Sequence, residues 1–416
     1  MTWTSKAWWS CAVAVVSLLL LSHMSFATDR SEAQRAFDNW IAEDIWQEAR
    51  ARGVSRQTFE RALGNARLNW DLPDLVPPGT EATPPRRNFQ AEFRSPARYF
   101  RHAASDANIG RSLARKHATL LTRLEAQTGV PGHIVLAIWG RESAFGRAPI
   151  PHDAFDVLGT KAFMSRRADF FRSELIAALE IAEAGHAPGG ALRSSWAGAL
   201  GQPQFMPTSF LRHARDGDGD GRADIWNSES DTLASIAGYL ADYGWEPDRD
   251  WGFEVRVPET VSCALEGPDQ GRTIAEWEAM GITRISGRPF PDHERRGEGF
   301  LMMPAGRLGP AFLVTPNFYV LKDYNTSDLY ALYIGNVGDR IAFGMGDFDA
   351  DWRQTGGLMR GDIALMQTAL EREGHDVGGV DGLPGFKTRR SIGRWQIAQG
   401  LRPTCFPEPG LKARLK

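Results

Sequence analysis

A single carboxylate, Glu142, lies in a segment of apolar and aromatic residues that is predicted to be helical. Its neighbours Trp139 and Phe145 would remove water from around the carboxyl group. Such desolvation raises the pKa toward the operating pH, which a general acid requires. The alternative is a surface ion pair with Arg141 or Arg147, and this segment taken by itself favours the ion pair.

A second segment, residues 195–207, combines small residues, amide side chains and a terminal proline. Small residues allow a backbone to approach a ligand closely. Ser195 and Gln204 could therefore form hydrogen bonds with sugar hydroxyls or amides. The alternative is a tightly packed glycine turn that binds no ligand. Considered together with Glu142, this segment favours a catalytic site.

An acidic loop has the spacing of an EF-hand calcium loop. Carboxylates occupy loop positions one, three and five: Asp216, Asp218 and Asp220. Gly221 follows at position six, and Arg222 would contribute its backbone carbonyl. Position twelve is Asn227 rather than glutamate, so Asp231 is the best candidate for the bidentate ligand. Because clustered carboxylates repel one another without a cation, the loop predicts a Ca²⁺ site rather than a solvated acidic turn.

The bulk properties limit the classes of protein to consider. A chain of 416 residues exceeds what one hydrophobic core usually supports, so at least two domains are expected. With 42% hydrophobic residues, 24% charged residues and a net charge of -3, the composition is that of a soluble globular protein. Nucleic acid is not an expected partner. We expect a monomer without an organic cofactor.

The first residues are typical of a secretory signal over residues 1–27. Lys6 precedes an almost wholly apolar run, residues 12–21, and small residues follow near Ala27. The run is shorter than the roughly 20 residues that a membrane-spanning helix needs. The sequence therefore predicts export.

Cysteine usage leaves two possibilities open. Of the three cysteines, Cys11 lies in the predicted signal, which leaves Cys263 and Cys405 in the mature chain. These two could pair in an oxidising compartment or remain two free buried thiols, because sequence separation does not give the distance between them.

Hydrophobic periodicity predicts a mostly helical chain with a small β region. Helices are predicted over residues 37–63, 109–129, 169–183 and 232–243. Another helix, which carries Glu142, is predicted to begin at residue 130. Prolines between 73 and 85 predict a loop. Strands are predicted at 253–257 and 311–314. A junction at Gly356 leads to a separate helical module in the last sixty or so residues.

Taken together, these residues resemble the soluble lytic transglycosylases of the MltB type. The resemblance rests on Glu142-Ser143, on the Gly-Ala-Leu-Gly run at 198–201 and on Gln-Phe-Met-Pro at 204–207. It continues in residues 166–171 and 324–330. It implies a mainly α fold of the α+β kind, in which a lysozyme-like helical core carries an extra α region and a small β region.

The C-terminal segment resembles the small peptidoglycan-binding domains of the PG_binding_1 type, and a three-helix module is therefore expected. The resemblance rests on the helix pattern from Arg360, on the Asp381-Gly382 turn before Lys387, and on Trp395, which is expected in the core. The implied division is a signal at 1–27, a catalytic domain at 28–355 and a peptidoglycan-binding domain at 356–416.

The resemblance also implies the roles of residues. Glu142 would be the catalytic acid and base, and the calcium would be structural. Residues that would line the sugar groove are Ser195, Gln204, Phe205, Tyr239, Tyr324, Asn325 and Tyr330. Tyr243 is close in register to Tyr239. Some members of the family have Gly-Tyr-Gly-Gln where this chain has Gln202-Pro203-Gln204.

The number of carboxylates bears on the mechanism, since ordinary glycoside hydrolysis needs two. The motifs identify only Glu142 as a catalytic carboxylate. A lytic transglycosylase uses the C6 hydroxyl of its substrate instead and leaves a 1,6-anhydroMurNAc end. The alternatives are a hydrolytic muramidase, with Asp153 or Asp156 as the second carboxylate, and a non-catalytic wall-binding protein. The expected partners are peptidoglycan glycan strands and other cell-wall enzymes. The expected location is the periplasm, in association with the cell wall or the membrane.

Overall fold

The computed structural model of the chain describes residues 30–80, 95–186, 192–353 and 356–415. The predicted signal segment lies outside these residues. The chain forms two compact units, each made of more than one stretch of sequence. None of the helices in the described ranges is both long enough and apolar enough to cross a membrane.

The first unit contains the described residues up to 80, residues 152–186, and short pieces at 192 and 196–198. Its elements are Arg30–Trp40, a π-helical turn Ile41–Ile45, Trp46–Ala51, Arg56–Leu63, the strand β1 (His152–Asp153), Ala154–Met164 and Ala168–Glu183. The last two helices pack against each other. Phe37 and Phe155 are buried in the core of this unit. Gly159 allows the ring of Phe37 to approach, because a Cβ there would lie 3.1 Å from it.

The second unit is built around the helix that carries Glu142, Gly132–Ser143. The helices of this part are Ala103–Lys116, Ala118–Thr128, Gly132–Ser143, Pro207–His213, Glu229–Asp242, Pro316–Tyr324 and Asp328–Phe343, with a 3-10 turn at Pro96–Phe100 and the strand β2 (Arg193–Ser194). The Glu142 helix packs against four of them. Its residues 134–140 are all buried, as expected for a helix that is apolar on every side.

A five-stranded antiparallel sheet belongs to the same unit. Its strands are β3 (Gly252–Arg256), β4 (Arg272–Thr273), β5 (Thr283–Arg284), β6 (Glu298–Met302) and β7 (Ala311–Val314). The strand order is β4-β6-β7-β3-β5, and β7 pairs with β3 in a register that places Leu313 opposite Phe253. Short helices lie between the strands at Cys263–Leu265, Ile274–Ala279, Asp292–Arg295 and Gly306–Leu308. Trp277 and Leu313 are buried in the core beneath the sheet.

The C-terminal segment has three helices, Arg360–Arg372, Phe386–Ala398 and the short Pro409–Lys412. It has a hydrophobic core of its own, which includes Leu358, Ile363, Leu370 and Trp395. The indole nitrogen of Trp395 donates to Glu373 at 3.1 Å. Trp395 is therefore a core residue, as predicted.

Cys263 and Cys405 form a disulfide, with their Cα atoms 6.1 Å apart. This decides between the two possibilities left open by the sequence. Because Cys263 lies beside the sheet and Cys405 follows the last long helix, the bond connects the C-terminal segment covalently to the sheet region. The sequence separation is 142 residues.

Replacing both cysteines with alanine is expected to lower the free energy of unfolding by roughly 2–4 kcal/mol, since the bond closes a long loop in the unfolded chain. Urea unfolding of the double variant and of the oxidised parent measures the difference. An equal free energy of unfolding in the two proteins would contradict this prediction.

Candidate active site

Glu142 lies in the last turn of its helix, next to an unusual stretch of backbone. Ala144 and Phe145 both have left-handed conformations, with φ of 52° and 59°, and Gly146 follows with φ of 75°. Such conformations are costly for residues other than glycine and concentrate at functional sites. The hydroxyl of Ser143, which is buried, accepts from the Gly146 amide at 3.0 Å and holds this turn. The helix therefore ends abruptly just after the carboxylate.

The carboxyl group of Glu142 is half-buried and receives a hydrogen bond. The hydroxyl of Tyr330 donates to its Oε1 at 2.6 Å. Burial raises the pKa of Glu142 to about 6, although the Tyr330 hydrogen bond and the charge of Arg141 both act to lower it. Near neutral pH a useful fraction of this carboxyl is therefore protonated, as a general acid requires.

The two neighbouring arginines have other partners. Arg141 donates to the hydroxyl of Tyr99 at 2.9 Å, and its guanidinium lies 4.6 Å from the centre of that ring. Arg147 donates to the carbonyl of Ala144 at 2.8 Å. In the described part of the chain, neither arginine forms the surface ion pair with Glu142 that this segment alone favours. The sequence could not show this, because the partner of Arg141 comes from a different segment.

Aromatic side chains surround the Glu142–Tyr330 pair. The rings of Tyr324 and Tyr330 are stacked at 6.5 Å, and Tyr239 lies 4.7 Å from Tyr324. The hydroxyl of Tyr324 donates to the carbonyl of residue 203 at 2.7 Å. Tyr239 is 6% exposed and contacts Tyr324, whereas Tyr243 is 40% exposed and stacks on Tyr239 at 4.5 Å, so both tyrosines belong to this cluster.

Phe205 is fully buried and contacts the rings of Tyr239 and Tyr324 from behind, at 5.5 and 5.9 Å. It supports the tyrosines and does not present an open face. The prediction that Phe205 lines the groove did not account for the burial of its side chain, because that burial depends on contacts with two helices that are distant in the sequence.

The remaining predicted groove residues hold turns. Gln204 has a left-handed backbone, with φ of 55°, and its side-chain amide donates to the carbonyl of Gly201 at 2.8 Å. The hydroxyl of Ser195 accepts from the amide of Ala199 at 3.3 Å. Asn325 is exposed, and its Oδ1 accepts from the amide of residue 327 at 3.2 Å.

Gln202 joins the Glu142 helix to the glycine-rich segment, and the sequence did not identify it as a site residue. Its Oε1 accepts from the indole of Trp139 at 2.8 Å, and its Nε2 donates to the carbonyl of Trp226 at 2.9 Å. A Cβ at position 146 would lie 2.3 Å from this Oε1, so glycine is required there. The only signal in the sequence was its departure from the family pattern.

The acidic loop brings three of the predicted ligands together. Carboxylate oxygens of Asp216, Asp218 and Asp231 lie within 4.8 Å of one another. Asp231 is buried, which raises its pKa, and its two oxygens accept from the amides of Gly217 and Asp224. These oxygen donors fit a Ca²⁺ ion.

The other two predicted ligands are placed differently. Asp220 is not among the carboxylates of that group, and its Oδ1 accepts from the backbone amide of Arg222 at 2.8 Å. Both residues are exposed.

A cleft of about 880 Å³ lies within the second unit. One side is lined by Tyr99, which contacts Arg141, and by Lys322 and Asp328. The other side is lined by Arg389 and neighbouring residues of the C-terminal segment. The C-terminal segment therefore faces a space that also borders the helix carrying Tyr330.

Residues 36–339 match the family described as transglycosylase SLT domain. The chain belongs to this family. It is therefore an enzyme of the lytic transglycosylase class, and the resemblance of its motifs to the MltB-type transglycosylases is confirmed. The mainly α fold with a small β region is also confirmed.

Two relatives support this assignment, and one more distant structure shows the same fold. The chain is 29% identical over 296 residues to membrane-bound lytic murein transglycosylase B of Escherichia coli (strain K12), which covers 70% of this chain and 79% of that protein. It is 36% identical to SltB3 of Pseudomonas aeruginosa, whose structure was solved in complex with NAG-anhNAM-pentapeptide. That match covers 91% of this chain and 99% of SltB3, with a TM-score of 0.81. Escherichia coli Slt35 in complex with calcium is 23% identical over 77% of this chain and 95% of that one, with a TM-score of 0.55, and shares the fold.

Hydrolysis needs a second carboxylate that can act, whereas the non-hydrolytic reaction does not, so the contacts of Asp153 and Asp156 bear on the choice between these two reactions. Asp153 accepts from the amides of Phe155 and Asp156, at 2.8 and 3.4 Å, and thereby caps the helix that follows. Asp156 accepts from the backbone amide of Arg67 at 3.0 Å. Both candidate carboxylates thus make structural hydrogen bonds within the first unit.

The Glu142→Gln variant is expected to unfold less easily than the parent at pH 7. The pKa of Glu142 is raised from 4.5 to about 6, so the parent loses stability as the pH rises through that window. At about 1.4 kcal/mol per pKa unit, the variant should be more stable by about 2 kcal/mol above pH 6. Below pH 4.5 the two should be equal. Urea unfolding at several pH values tests this, with the exposed substitution Glu60→Gln as control.

Proposed function

We propose that this chain cleaves the β-1,4 bond between MurNAc and GlcNAc in peptidoglycan without water, and that Glu142 is its acid and base. The observation that carries the proposal is the half-buried Glu142 carboxyl, which is held by Tyr330 at 2.6 Å and has a pKa of about 6. One group with such a pKa can give up a proton and take one back at the same pH.

The reaction has two steps that share this carboxyl. In the first, protonated Glu142 donates its proton to the glycosidic oxygen, the bond from that oxygen to C1 of MurNAc breaks, and GlcNAc leaves with a free O4 hydroxyl. In the second, the Glu142 carboxylate removes the proton from the C6 hydroxyl of the same MurNAc, and O6 bonds to C1. The product is a 1,6-anhydroMurNAc end, and Glu142 is protonated again.

The structural roles of Asp153 and Asp156 support the non-hydrolytic reaction, since hydrolysis would need a second carboxylate that is free to act. The ligand solved with SltB3 contains an anhNAM unit, which is the kind of end that this reaction leaves. The N-acetyl carbonyl of MurNAc would stabilise positive charge at C1.

Substrate binding would use the surface around Tyr330. We assign sugar contacts to Ser195, Gln204, Tyr324 and Asn325. Tyr239 and Tyr330, which are 6% and 1% exposed, would support this surface from behind, as Phe205 does. The cleft beside this surface would hold the neighbouring part of the glycan strand. The segment 356–416 would bind the wall and raise the local substrate concentration. Export to the periplasm, after removal of residues 1–27, would place the enzyme at its substrate.

A digest of purified peptidoglycan tests the reaction. Products from the parent should be lighter by one water than the corresponding hydrolytic products, and Glu142→Gln should be slower by roughly 10²–10⁴-fold. The control variant Glu60→Gln should match the parent. Reducing-end products would show a muramidase instead, and equal activity in Glu142→Gln would show that another residue is the acid.

We also propose that the acidic loop holds a structural Ca²⁺ ion through Asp216, Asp218 and Asp231, with Asp220 and the carbonyl of Arg222 as further ligands. The loop immediately precedes the helix Glu229–Asp242, which carries Tyr239. The ion would neutralise the carboxylates and so fix the start of that helix.

Calcium should therefore raise the stability of the purified protein, by about 3 kcal/mol at a hundred times the dissociation constant. Chemical unfolding in calcium and in chelator measures this. The Asp218→Asn variant should lose most of the effect, whereas Asp248→Asn, an exposed aspartate outside the loop, should keep it. Equal stability of the parent with calcium and with chelator would contradict the proposal.

A further inference from the structure

A buried ionic cluster links the C-terminal segment to the active-site helices. The guanidinium Nε of Arg389 lies 3.0 and 3.1 Å from the two carboxylate oxygens of Glu266. Glu266 is 0% exposed and Arg389 is 3% exposed. Arg389 Nη2 also lies 3.7 Å from Asp328 Oδ2, and Lys322 Nζ lies 2.6 Å from Asp328 Oδ1. These four residues form what we call the clamp.

Asp328 is the point at which the clamp meets the catalytic machinery. It is the first residue of the helix Asp328–Phe343, which carries Tyr330, and the side chain of Ser327 caps that helix by accepting from the Tyr330 amide. Lys322 belongs to the helix Pro316–Tyr324, which ends at the other tyrosine next to Glu142. Asp328 thus ties together the two helices that present Tyr324 and Tyr330.

We propose that Arg389 is a positioning residue for the reaction: by holding Asp328, it fixes the beginning of the helix that presents the Tyr330 hydroxyl to Glu142. The C-terminal segment then supports the active site in addition to the wall binding assigned to it above. This inference rests on the proposed role of Glu142.

The energetics and the surrounding contacts support a positional role. A buried ion pair contributes little net stability compared with apolar residues of the same size, whereas its geometry is strongly directional. The same segment is already attached by the Cys263–Cys405 disulfide and by Arg390, which pairs with Asp269 and donates to the carbonyl of Glu266. Attachment alone does not require a contact between Arg389 and Asp328.

The pKa of Glu142 is a quantity that would not change if Arg389 had a purely structural role. The titratable and charged groups that act on it are Tyr330, Tyr324 and Arg141. The Tyr330 hydrogen bond lowers the pKa of Glu142, so displacement of Tyr330 should raise this pKa. Since the acid form of Glu142 is needed, the alkaline limb of the pH–rate profile would then move to higher pH.

The test uses the full-length mature protein and a soluble glycan oligomer, so that wall binding does not limit the rate. The variants are Glu266→Gln with Arg389→Gln, which removes both buried charges together, and Asp328→Asn. The matched control is Glu259→Gln with Arg402→Gln, an exposed ion pair between the C-terminal segment and the sheet region that contacts no residue of the clamp. Tyr330→Phe gives the reference pH profile.

In the clamp variants kcat is expected to fall by roughly 10- to 100-fold, as for a small misplacement of a catalytic group, with a smaller change in KM. Their alkaline limb should move in the same direction as that of Tyr330→Phe. The control should keep kcat within about twofold. Circular dichroism and thiol titration establish that each variant is folded and has its disulfide.

A folded clamp variant with the kcat and pH profile of the parent would overturn the proposal, as would an equal loss in the control. If the double variant does not fold, Asp328→Asn decides, since it keeps the size of the side chain. Glu142→Gln is assayed in the same series. If it retains activity, the proposed function fails, whatever the result for Arg389.

Discussion

The hydrogen bond from Tyr330 to Glu142 is the interaction on which the rest of the structure depends. It joins two residues that are 188 positions apart in the chain, at a distance of 2.6 Å. Two opposing effects meet there, because burial raises the pKa of Glu142 and the hydrogen bond lowers it. The helices around the Glu142 helix keep water away from this carboxyl, and the helix Asp328–Phe343 brings the hydroxyl that holds it.

Several features could be predicted because they depend on local sequence. The apolar run before Glu142 identified a buried helix, and the apolar residues at 311–314, which end in a β-branched valine, identified a strand with the same bounds. The strands β1, β2, β4 and β5 were missed, since two residues are too few for a period to be visible. The five-residue strand β6 was also missed, because its residues 299–302 are all buried and show no alternation. The spacing of the acidic loop predicted Asp216 and Asp218 as calcium ligands, and Asp231 was predicted as a further ligand because position twelve of the loop lacks a carboxylate.

Other features depend on contacts between distant segments, and local patterns do not reveal these. The disulfide between Cys263 and Cys405 spans 142 residues. Gln202 contacts Trp139 and Trp226, which no spacing rule connects. Phe205 was identified by its motif, but its depth behind Tyr324 was not. The contact between Arg389 and Asp328 was not predicted for the same reason, because nothing in the local sequence around either residue indicates that the two lie close together.

The raised pKa of Glu142 is the most direct consequence of this arrangement. Carbon-13 NMR of the protein labelled at the glutamate side-chain carboxyl carbon, with the Glu142→Gln variant to assign the signal, would follow its titration. We expect a midpoint at about pH 6, which should move upward in Tyr330→Phe. A midpoint near 4.5, the ordinary value for glutamate, would contradict the claim that burial prepares Glu142 to act as an acid.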